Sequence, residues 1–81
     1  KSRMQEKTEK IDACFNLAYE CNATGVKYYS EGSFRKAKLE FENAINHLSE
    51  IRLLVPKYSG NSYEGLMEIY QGNLSRTEDR L

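Results

Sequence analysis

The sequence predicts an all-α fold, an antiparallel helical hairpin followed by a third helix. Three observations carry this. Every apolar stripe recurs at spacings of three and four residues, the period of a helix face. Gly32 and Pro56 interrupt those stripes and divide the 81 residues into three segments. Val, Ile and Thr are few, so nothing in the pattern asks for a strand.

The first helix is expected over about residues 2–31. Its seam is Met4, Ile11, Cys14, Ala18, Cys21, Gly25 and Tyr28, widened by Phe15 and Tyr29. Residues 1–10 are mostly charged or polar, so this end is expected to lie in solvent. Gly32 breaks the chain, and Ser33 is placed to cap the next helix. That second helix is expected over 34–55. Phe34, Ala37, Phe41, Ala44, Ile45, Leu48, Ile51 and Val55 form its apolar stripe, and Pro56 stops it. A turn of two to four residues between these helices forces them antiparallel. Residues 56–61 read as a loop, with Asn61 and Glu64 spaced as a capping box. The third helix is expected over 62–81, burying Tyr63, Leu66, Met67, Tyr70, Leu74 and Leu81. Gly65 and Gly72 inside it read as points of close approach to another helix. The whole chain, residues 1–81, reads as a single helical domain. Its start at Lys1 without Met reads as a piece of a larger protein.

Composition narrows the function. Lys plus Arg is 12 and Asp plus Glu is 12, so the net charge is zero. That balance lacks the basic footprint of a nucleic-acid binder. No apolar run approaches the roughly 20 residues of a membrane-spanning helix. One His and two Cys cannot close a four-ligand zinc site, so no metal and no cofactor is expected. Cys14 and Cys21 lie seven apart on one helix, about 10.5 Å along its axis. That is too far for a disulfide. Both read as small buried hydrophobes with free thiols, which points to cytoplasm or nucleus. The glycosylation sequons at Asn22 and Asn73 lie inside expected helices and read as chance matches. His47 lies off the main stripe and reads as a surface side chain. With no phosphate-binding loop either, the chain is not expected to be an enzyme. Glu31 with Arg35 and Glu6 with Lys10 read as solvated helix pairs.

Residue size alternates as well as polarity. Gly25, Tyr28, Gly32, Phe34, Ala37, Phe41 and Ala44 follow one another as small and large residues along facing stripes. Small residues let two helices approach to about 8 Å, and aromatic rings fill the space opposite them. This run, with Cys21 at its start and Ile45 at its end, resembles the tetratricopeptide (TPR) motif. It covers about 29 residues and carries that family's Gly, Tyr, Gly, aromatic and Ala in register. It differs from the family at Cys21, where an early aromatic is usual, and at Ser49, where a Pro usually closes the repeat. The stretch from Ile69 to Ser75 is similar to the first helix of a second repeat. The resemblance implies a protein–protein interaction module. Its concave groove, lined by the first helix of each repeat, would hold a peptide at Asn22, Val26, Tyr29 and Asn73.

A second family is similar over about residues 13–81. MIT domains are three-helix bundles of this length. Their second helix opens like Gly32-Ser33-Phe34-Arg35-Lys36-Ala37. Their third ends in a run resembling Leu74-Ser75-Arg76-Thr77-Glu78. This resemblance implies an amphipathic ESCRT-III-type helix held between the second and third helices. Met67, Tyr70, Leu74 and Arg76 would line that groove. A third expectation is self-association, because the first helix is longer than its hairpin partner needs and its overhang carries Met4 and Ile11. The partner on every reading is a protein or peptide, with no nucleic acid and no membrane insertion.

Overall fold

The structure, a computed structural model, describes residues 2–81. It is all-helical, with α1 spanning Arg3–Ser30, α2 Phe34–Leu54 and α3 Asn61–Glu78. Of the charged leading stretch, Lys1 lies outside the described residues. Helix α1 begins at a reciprocal cap. The Gln5 amide donates to Ser2 Oγ at 3.2 Å and the Ser2 amide donates to Gln5 Oε1 at 3.3 Å. Two otherwise orphaned amides are satisfied in this way.

Gly32 turns the chain with φ of 80°. The Gly32 amide donates to the Tyr29 carbonyl at 3.1 Å and the Ser33 amide to the Tyr28 carbonyl at 2.8 Å. This is a Schellman closure, which needs a left-handed residue that glycine supplies without a Cβ penalty. Ser33 takes the cap position of α2, but its side chain makes no capping bond. Helix α2 ends at Leu54, one residue before the expected boundary, and the Val55 amide closes onto the Ile51 carbonyl at 2.9 Å.

Helix α3 differs from expectation at both ends. Asn61 is its first helical residue and Gly60 the cap, so the box between Asn61 and Glu64 does not form. Glu64 turns instead to Arg52, whose Nη2 donates to its Oε1 at 2.7 Å. Arg52 also donates from Nε to the Tyr58 carbonyl at 3.1 Å and lies 4.4 Å above the Tyr63 ring. One guanidinium thereby ties the end of α2, the connecting loop and the start of α3. Tyr58 completes the joint, edge-on to Tyr63 at 5.8 Å and tilted against Phe15 at 6.2 Å. At the other end α3 stops at Glu78, leaving Leu81 exposed rather than buried.

The core is the expected stripe. Cys14 and Ala18 of α1 meet Ala44, Leu48 and Ile51 of α2, and Tyr63 and Tyr70 of α3 close over them. Helices α1 and α2 pack along most of their length. Helix α3 lies chiefly on α2. The molecule measures 45 × 20 × 16 Å because α1 runs on past the end of α2. Met4 is 80% exposed there, so it does not belong to the seam. The expected pairs Glu31–Arg35 and Glu6–Lys10 are not among the ion pairs of the described residues. Besides Arg52–Glu64, Lys38 pairs with Glu78 at 3.7 Å and His47 faces Glu50 at 3.6 Å.

The close approach falls at Gly25, not at the glycines of α3. A Cβ built on Gly25 would stand 2.6 Å from a Phe41 ring carbon, whereas at Gly65 it would meet nothing within 4 Å. At Gly72 it would meet only the Arg76 guanidinium, at 3.7 Å. The alternation of size read from the sequence is therefore a physical interlock of α1 and α2 at Gly25 and Phe41.

Candidate functional site

Asn22, Val26 and Tyr29 are spaced four and three residues apart and so share one face of α1. Asn73 and Arg76, three apart, share a face of α3. The packing of α3 beside α1 brings these two faces together. Val26, Tyr29, Asn73 and Arg76 line a cavity of about 150 Å³, with Phe41 of α2 as its fifth wall. Phe41 is 2% exposed and Val26 is 49% exposed, so the cavity runs from a fixed aromatic floor to an open aliphatic lip.

The polar rim is organised. Asn73 Nδ2 donates to Asn22 Oδ1 at 2.8 Å, bridging α1 and α3. Arg76 Nη2 donates to Asn73 Oδ1, so both ends of the Asn73 amide are engaged. The remaining Arg76 donors make no hydrogen bond among the described residues. Beneath them Thr77 is fully buried, its hydroxyl donating to the Asn73 carbonyl at 2.8 Å. Tyr29 is held edge-on to Phe34 at 5.2 Å, and the Arg80 guanidinium lies 5.0 Å from that Phe34 ring. The result is an apolar slot with one anchored amide and one cation at its edge.

The residues expected of a groove between α2 and α3 do not converge. Tyr70 is 1% exposed, a core residue closed to any partner. Met67 is half-buried at the core margin. Leu74 lines a separate, larger depression of about 450 Å³ with Glu42, Asn43, Ile45 and Asn46. Arg76, two residues on, points to the other side of α3. Two residues on a helix subtend about 200°, so Leu74 and Arg76 cannot serve one groove.

The Tyr70 hydroxyl is enclosed without a hydrogen-bond partner among the described residues. Burial, then nearby Tyr19 and Cys21, push its phenol above the ordinary value of 10.0. Removing the unsatisfied oxygen relieves a desolvation cost, so Tyr70→Phe should stabilise the chain by up to about 1 kcal/mol. The sign with pH follows from the raised value. The folded state holds the neutral phenol, so its share of stability is complete below about pH 10 and is lost as pH rises beyond. Thermal melts of both chains from neutral to strongly alkaline pH check this. Tyr70→Phe should melt at least as high as wild type at neutral pH and lose less above pH 10.

The two thiols are shifted as well. Cys14 is buried, and its Sγ contacts Glu50 Oε2 at 3.8 Å. Burial first, then the Glu50 charge and hydrogen bond, push this thiol up. Cys21 is pushed up by burial, then by Glu40 and Glu20. A raised thiol pKa keeps the reactive thiolate scarce. His47 Nδ1 is enclosed without a hydrogen bond among the described residues, so this residue sits deeper than the surface position expected of it. Among the described residues no three His, Cys, Asp or Glu side chains group as metal ligands. Among them, too, no helix is long and apolar enough to cross a membrane.

Neither a protein-family model, nor a curated protein, nor a solved structure matches this chain.

Proposed function

We propose that this chain is a non-catalytic protein–protein interaction module, an adaptor or scaffold element that holds a segment of a partner protein between α1 and α3. The observation that carries the reading is the convergence of Val26, Tyr29, Asn73 and Arg76 on one cavity. At about 150 Å³ the cavity is of the size of one apolar side chain. The occupant that fits is an extended peptide with an aliphatic or aromatic residue for the slot and a carboxylate for Arg76. A charge-assisted bond from a guanidinium to a carboxylate is among the stronger polar contacts available at such a rim. The interlock of Gly25 with Phe41 supports a TPR-like hairpin, the family resemblance that implies this same face. The free thiols of Cys14 and Cys21 fit a reducing compartment, cytoplasm or nucleus.

A second reading places an amphipathic ESCRT-III-type helix in the depression between α2 and α3, as an MIT-like domain would. Its support is the larger volume there and the apolar pair Ile45 and Leu74. Point variants separate the two. Against a synthetic array of extended peptides, each pairing one large apolar residue with Asp or Glu, Val26→Asp and Arg76→Glu should weaken binding at least tenfold. Both side chains are exposed, so the melting temperature should hardly move. Leu74→Asp should leave peptide binding unchanged. Binding that survives Val26→Asp and Arg76→Glu but is lost with Leu74→Asp would transfer the function to the second face.

A further inference from the structure

Helix α3 covers one side of the α1–α2 hairpin, and the other side is uncovered. There Lys10, Ala13, Cys14 and Leu17 of α1 face Glu50, Leu53 and Leu54 of α2 across a groove of about 610 Å³. Leu53 is 81% exposed and Leu17 is 44% exposed. Two leucines standing in one open groove form a patch rather than the scattered apolar residues normal on a surface. The groove also has polarity. Its α1 edge carries Lys10, which makes no ion pair among the described residues, and its α2 edge carries Glu50.

From this we infer that the uncovered hairpin face is a homodimer interface, with a second copy of this chain as its occupant. The charge of this groove is self-complementary. A two-fold axis running parallel to the helices lays α1 of one copy over α2 of the other without changing its level. Each helix then neighbours only antiparallel helices, the arrangement of an up-and-down four-helix bundle. In that arrangement Lys10 of each copy meets Glu50 of the other, twice over, because a two-fold interface repeats every contact. Leu53 of each copy is then level with the Lys10–Cys14 stretch of the other's α1 and packs over it. A partner with one sign of charge would satisfy only one edge of the groove.

Size permits it. The 21 residues of α2 span about 31 Å, and two helices side by side are about 20 Å wide. That footprint is of the order of the roughly 800 Å² each partner gives to a standard interface. The face is distinct from the Val26–Arg76 cavity, so a dimer would present two peptide slots. This inference does not rest on the peptide-binding reading and stands or falls separately.

Sedimentation equilibrium of the 81-residue chain tests it. The expected result is a concentration-dependent mass rising from 9.4 kDa toward twice that value. Leu53→Glu should weaken the dimer at least tenfold while leaving the helical circular dichroism of the monomer intact. Lys10→Glu alone and Glu50→Lys alone should each weaken it, and the two together should restore it. Glu50 also touches Cys14 and His47, so the charge swap is read beside Lys10→Glu mixed with Glu50→Lys, which should form the heterodimer. A mass of 9.4 kDa at every concentration would overturn the inference. So would a dimer indifferent to Leu53→Glu and to both charge reversals.

Discussion

Replacing Phe41 by Ala is expected to lower the unfolding free energy by about 3–5 kcal/mol, the cost of an emptied aromatic site in a packed core. The ring is 2% exposed, fills the notch left by Gly25 and floors the Val26–Arg76 cavity. A chain of this length has about 4–12 kcal/mol of stability in total, so the loss is a large fraction of it. Urea denaturation followed by circular dichroism reads the change directly. Phe41→Leu keeps most of the volume and should cost only about 1–2 kcal/mol, which leaves a folded protein to work with. A Phe41→Ala chain as stable as wild type would mean that α1 and α2 do not interlock at this ring.

The second large effect is at Gly25, and its sign is the informative part. In an open helix Gly→Ala stabilises by about 1 kcal/mol. At Gly25 the new methyl would lie 2.6 and 2.8 Å from Phe41 ring carbons. Both the ring and the backbone are buried, so neither moves freely. Overpacking costs about 1–3 kcal/mol, and a contact this short belongs at the upper end, so after the propensity gain Gly25→Ala should still destabilise, by up to about 2 kcal/mol. Gly65→Ala, with nothing within 4 Å of its Cβ, should show the ordinary gain. Combining Gly25→Ala with Phe41→Leu should cost less than the two losses added, because the smaller side chain vacates the contested space. Gains at both glycines would show that Gly25 is not at a helix contact.

Much of this fold is legible in the sequence, for identifiable reasons. Helix ends at Gly32 and Pro56 follow from backbone chemistry that local context cannot override. The α1–α2 interface follows from where small and large residues alternate. What was less legible depends on side chains that reach across elements. Arg52, between Ile51 and Leu53 but off the apolar stripe, looks like any solvated helix residue, yet it joins α2, the loop and α3. Its reach drew Glu64 away from the box that local spacing favoured. The Ser2–Gln5 cap is a feature the sequence reading missed, although Ser-x-x-Gln is the spacing of a capping box.

The candidate site divides in the same way. Asn22, Val26 and Tyr29 fall on one face by spacing, and so do Asn73 and Arg76. That the two faces meet depends on how α3 docks, which periodicity does not specify. Met67, Tyr70, Leu74 and Arg76 mixed two faces of α3, and the helical angle between Leu74 and Arg76 was enough to separate them. By spacing Tyr70 reads both as a core residue and as a groove residue. The structure gives it to the core, with its hydroxyl enclosed.

On the proposed function a partner segment is held between α1 and α3. An amide-resolved NMR titration tests it most directly, with two probes in separate experiments. One is an extended peptide pairing an apolar residue with a carboxylate, and the other is an amphipathic ESCRT-III-type helix. The account predicts that the extended peptide shifts the amides of Asn22, Val26, Tyr29, Asn73 and Arg76 and leaves those of Ile45, Asn46 and Leu74 still. Shifts confined to Ile45, Asn46 and Leu74, given by the helix and not by the extended peptide, would contradict it.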